Sequence, residues 1–88
     1  MNREIVAYLV DGGAAQLGRW LQATGRPAPT SQQALQIAAV VLPQIEQMVD
    51  QVPITTTIAE LEDLALGIFV RAALEILGIS VIHRPAAN

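Results

Sequence analysis

The stretch "LALGIFVRAALEILGISVI", residues 64–82, decides the fold. It is almost wholly apolar and is interrupted only by Arg71 and Glu75. It has the look of a membrane span, but its boundaries argue otherwise. Thr57 followed by Glu60 is a capping box, so the helix is expected to begin near Ile58, upstream of the apolar run. Glu60, Glu62 and Asp63 fall in its first turns, where the helix dipole favours negative charge. Gly78 is a left-handed stop signal after Leu77. The apolar helix is thereby cut to Leu64–Leu77, short of the roughly twenty residues a bilayer needs. Arg71 and Glu75 would also each cost about 2.5–3.5 kcal/mol in the middle of a span.

On a helical wheel the polar positions of this helix form one narrow stripe: Glu60, Asp63, Gly67, Arg71, Glu75 and Gly78. A surface helix of a monomer ordinarily shows a broader polar face. The helix is therefore expected at the centre, with helices one and two on one side. Leu66, Phe69, Val70, Ala73 and Leu77 are left for a second chain to cover.

Two further helices are legible upstream. Val6, Val10, Gly13, Leu17, Trp20 and Thr24 recur at helical steps, with Leu9, Ala14 and Leu21 beside them. They predict a first helix over about residues 2–24, with Asn2 as a capping residue type and Gly25 as its stop. Gly12 and Gly13 interrupt it at a cost of about 1 kcal/mol each against alanine. Either the helix breaks there and Asp11 caps a second piece, or it continues with a close neighbour on that side; the stripe keeps phase across the glycines, which favours continuity. The "GRPAPT" linker (25–30) follows, and Thr30 with Gln33 forms a second capping box. The second helix is expected over about 31–50, with Ala34, Ala38, Val41, Ile45, Met48 and Val52 as its seam and Leu35, Leu42 and Val49 widening it. Pro43 is expected to kink or break it. "VPITTT" (52–57) is β-prone, although Pro53 confines any strand to an edge. The tail, 79–88, reads as extended through "ISVIHR" (79–84) and could pair with that connector in a second subunit.

The expected fold is therefore a single all-α domain over residues 1–88, a three-helix bundle with a kinked second helix and a short extended C-terminal tail. Composition points to assembly. The chain is 52% hydrophobic and 15% charged, with a mean hydropathy of +0.43. A domain of this size buries only roughly 60% of its unfolded surface, and it has few charges to cover the remainder. A homodimer is the simplest remedy.

Candidate chemistry is sparse. All five basic residues are arginine, which removes lysine Schiff-base chemistry and the phosphate-loop lysine. Cysteine is absent and His83 is the only histidine, so no transition-metal site or cofactor is expected. A catalytic pairing of His83 with Ser80 and a carboxylate has no supporting spacing. "DGGAAQLG" (11–18) lacks the spacing and lysine of a phosphate-binding loop. Glu60, Glu62 and Asp63 lack an EF-hand pattern. Trp20, beside Arg19 and near Arg26, is the one aromatic–basic cluster, of a kind enriched at interface hot spots.

These readings converge on a small, non-enzymatic protein–protein interaction module, an adaptor, assembly factor or regulator acting as a homo-oligomer. Its expected interface comprises Trp20, Leu66, Phe69, Val70, Ala73 and Leu77. A cytoplasmic location is expected, since "MNREIVAYLV" has no secretory pattern. The alternatives are a regulatory DNA-binding dimer, which would need Arg3, Arg19 and Arg26 to cluster, and a membrane-associated small subunit. The net charge of −3 opposes the first.

Overall fold

The structure, a computed structural model, describes residues 2–78. The tail 79–88, with Ser80 and His83, lies outside the described residues, as does the side chain of the expected cap Asn2. Three helices make up the fold: α1 (Asn2–Ala23), α2 (Ser31–Gln51) and α3 (Ile58–Ile76). No strand occurs among the described residues.

The helix ends follow from local chemistry. At α2, the Gln33 N–H donates to the Thr30 hydroxyl oxygen at 3.1 Å, and the Thr30 N–H donates to the Gln33 side-chain carbonyl at 2.9 Å. At α3, Glu60 and Thr57 repeat this reciprocal pair at 3.2 and 2.8 Å. Both boxes satisfy N–H groups that a helix start otherwise leaves unbonded. Helix α1 closes in a Schellman motif. The Arg26 N–H reaches the Leu21 carbonyl at 2.8 Å, the Gly25 N–H reaches the Gln22 carbonyl at 3.1 Å, and Gly25 holds φ +74°. Gly78, at φ +68°, follows the end of α3. The "VPITTT" connector is a turn, not a strand. Thr56 N–H bonds the Pro53 carbonyl at 3.0 Å, and Pro53 forces Val52 into the extended region.

Helices α1 and α2 run antiparallel, because Arg3 and Val6 lie beside Glu46 and Asp50 at one end while Gly18 lies beside Ala34 at the other. Helices α1 and α3 run parallel, with Tyr8 at Glu62 and Gly13 at Phe69. Helix α3 is not the central element that its apolar sequence suggests. Each helix packs on both others to a similar extent, which is the geometry of a triangular bundle. The narrow polar stripe of α3 is nevertheless its exposed line, from Glu60 through Asp63, Gly67, Arg71 and Glu75 to Gly78.

The core joins Val6, Leu9, Leu17 and Leu21 of α1, Ile37, Val41 and Ile45 of α2, and Leu61, Ala65, Phe69, Ala72 and Ala73 of α3. No polar or charged side chain is buried among the described residues. Helix α1 continues through its glycine pair, and the reason is visible at Gly13. A Cβ there would stand 2.5 Å from two ring carbons of Phe69, so only glycine admits this aromatic ring. Helix α2 also continues without a break, although Pro43 cannot donate the bond that the Ala39 carbonyl would accept. Of its expected seam, Val41 and Ile45 are buried and Ala38, Met48 and Val52 half-buried. Ile37, Val41 and Ile45 are the buried line, while Ala34, Leu35 and Leu42 are exposed. Leu35 and Leu42 sit about 100–120° round the helix from Val41, on the flank of the seam rather than within it.

Candidate interaction surface

Helical spacing brings the six expected interface residues to different depths. Phe69 is 2% exposed and Ala73 fully buried, so both belong to the core of the single chain. The buried face of α3 spans Leu61, Ala65, Phe69, Ala72 and Ala73, an arc wide enough to take in positions that the sequence leaves for a second chain. Trp20, Val70 and Leu77 are half-buried and pack against that core. Leu66 is half-buried. These six residues therefore do not form one free face.

The free apolar surface lies elsewhere. Tyr8, Leu35, Val40, Leu42, Ile54, Ile58 and Leu64 are the large hydrophobic side chains exposed among the described residues. Leu35 is 72% exposed and Ile54, in the turn before α3, completely so. Between α1 and α2 lies a recess of about 220 Å³. Val10, Ala14, Leu17 and Gly18 form one wall, Ala34, Ile37 and Ala38 the other, with Pro29 at one end and the Phe69 ring reaching in from α3. No lining residue carries a charge or a polar side chain. The recess exists because α1 and α2 face each other here through alanine and glycine, which leave space between the backbones. Leu35 and Leu42 stand exposed on the same helix beside it.

Polar groups are arranged for structure. The Tyr8 hydroxyl donates to the Glu62 carboxylate at 2.5 Å, tying α1 to α3. That hydrogen bond and the neighbouring negative charge push the Tyr8 phenol above its ordinary pKa. The Thr57 backbone N–H, followed by its hydroxyl, holds the Glu60 carboxyl below the ordinary glutamate value. The Arg26 guanidinium sits 5.5 Å from the centre of the Trp20 ring, within cation–π range. This contact braces the end of α1, where the Thr24 hydroxyl also donates to the Trp20 and Leu21 carbonyls. Arg26 was expected near Trp20, and the geometry brings them together.

Residues 11–18 are helical and do not form a phosphate-binding loop. Among the described residues no group of three histidine, cysteine or acidic side chains converges to hold a metal ion. No described helix is long and apolar enough to cross a membrane.

The residues thus define an all-helical, three-helix class of protein with apolar patches and no assembled polar site among the described residues. No family model matches the chain, and comparison with curated proteins and with solved structures finds no similar one.

Proposed function

We propose that the protein is a small, non-enzymatic protein–protein interaction module that acts in the cytoplasm as a homo-oligomer and binds another protein. The carrying observation is the exposed apolar surface beside α2. The uncharged recess, flanked by Leu35 and Leu42, offers a partner a hydrophobic seat. Apolar clefts of this kind accept one apolar face of a docking helix. Helix α2 bends at Pro43 in this reading, because the missing bond to Ala39 lets it curve around the bundle.

Light scattering across a dilution series tests the assembly. A complex of two or more chains at micromolar concentration is the expected result, and a monomer throughout sinks it. The recess is tested by an environment-sensitive apolar dye. Ala34→Glu and Ala38→Glu, both in the wall of the recess, should abolish its binding with helicity retained.

A further inference from the structure

Asp11, Ala15 and Arg19 are all exposed on α1. Steps of four residues place them on one oblique ridge of the helix surface. Along this ridge the charge runs from negative, through a small residue, to positive. Neither Asp11 nor Arg19 has a hydrogen-bond or ion-pair partner among the described residues. Beside the ridge, at the rim of the α1–α2 recess, lies Gly18, where nothing stands within 4 Å of the place a Cβ would occupy. The outer face of α1 thus combines two opposite charges, without a partner among the described residues, with the small exposed Ala15 between them, low enough for another helix backbone to approach.

We infer that this ridge docks on the same ridge of a second copy of the chain, about a two-fold axis beside Ala15. The inference rests on the homo-oligomer reading and specifies its surface. Helices that meet through their i±4 ridges cross at about 50°. A two-fold axis perpendicular to the ridge reverses one ridge upon the other. Asp11 then falls against Arg19 of the second copy, and Arg19 against Asp11 of the second copy. The contact is isologous, so each pairing occurs twice from one surface. A partner for this ridge must present the opposite charge order across a small residue, and the reversed ridge itself does so. Alignment without reversal would set like charges against each other, which interfaces select against. Arg3, the other cation on α1, lies off this line, in a recess with Glu46 and Asp50 of α2.

Charge reversal tests the pairing. Wild type, Asp11→Arg, Arg19→Asp and the double variant Asp11→Arg/Arg19→Asp are compared by sedimentation equilibrium, with helicity checked by circular dichroism. Each single reversal should raise the dimer dissociation constant at least about tenfold, and the double variant should restore it to near wild type. The native chain has no cysteine, so a cysteine at position 15 reports distance independently of charge. Ala15→Cys should form a disulfide-linked dimer under mild oxidation, whereas Leu64→Cys, exposed on α3, should not. If wild type associates but the double variant fails to restore it, or Ala15→Cys does not crosslink, this surface is overturned and the homo-oligomer stands. If wild type is a monomer throughout, both fall.

Discussion

Gly12 and Gly13 are neighbours in α1 with opposite surroundings. A Cβ on Gly13 would collide with the ring of Phe69, whereas one on Gly12 would meet nothing within 4 Å. The same residue type, one position apart, is therefore a packing device on the inner face and an uncompensated helix cost on the outer face. Helical rotation of about 100° per residue separates the two roles. The contrast also explains why a glycine pair in mid-helix does not break it. The cost of two glycines is set against a buried aromatic ring that packs at the meeting of α1 and α3.

The largest break in this comparison comes from removing the ring. Phe69 is one of the largest fully buried side chains. Phe69→Ala should destabilise the fold by about 3–5 kcal/mol, which for a domain of this size lowers the melting temperature by more than about 12 °C. Thermal unfolding followed by circular dichroism measures it. A drop of only a few degrees would mean that the Gly13–Phe69 contact is not the centre of the core.

The pair itself then supplies a change of sign. Gly13→Ala gains helix propensity, but it forces a methyl group into a ring that cannot move freely in a packed core. Overpacking of this kind costs about 1–3 kcal/mol, so the net effect is destabilising. Gly12→Ala meets open space and should stabilise by about 0.5–1 kcal/mol. Chemical denaturation of the two variants side by side is the measurement. Equal effects of the two substitutions would remove the distinction between inner and outer face.

Helix ends were the most legible part of the sequence. Thr30–Gln33, Thr57–Glu60, Gly25 and Gly78 act where they stand, because capping is decided by residues adjacent in the chain. At Gly12–Gly13 the apolar stripe keeps phase, which favours continuity over a break without deciding between them, and the helix is continuous. Facing was less legible. Helix α2 carries apolar residues on most of its circumference, so periodicity alone does not separate the buried line Ile37–Val41–Ile45 from the exposed Leu35 and Leu42. Helix α3 poses the same problem in reverse. Its exposed stripe was readable, but Phe69 went to the chain's own core because α1 opens space for the ring at Gly13, and Ala73, four residues on, is buried with it. That accommodation is a long-range contact, and no local pattern in α3 encodes it. The α1–α2 recess is likewise a property of two helices placed together. Alanine and glycine read individually as helix surface, and become a concave wall only when set opposite one another.

A finer comparison separates the two capping boxes. They share one geometry, yet Gln33 is neutral and Glu60 is a carboxylate. Protonation can therefore weaken only the start of α3. The Glu60 carboxyl is held below its ordinary value of 4.5 in the fold. A carboxyl with a depressed folded pKa stabilises the fold fully above its unfolded pKa, and that contribution is lost as pH falls through the folded pKa. The window thus opens near pH 4.5 and extends downwards. Glu60 is fully exposed, so the effect is the smallest of the three. Other carboxylates titrate over the same range, and the informative quantity is a difference between proteins. The melting-temperature advantage of wild type over Glu60→Gln should shrink between about pH 6 and about pH 3. Gln33→Glu should introduce the same acid sensitivity at the start of α2, where wild type has none of this origin. An advantage that is constant with pH would show that the charge on Glu60 adds nothing to what its geometry already supplies.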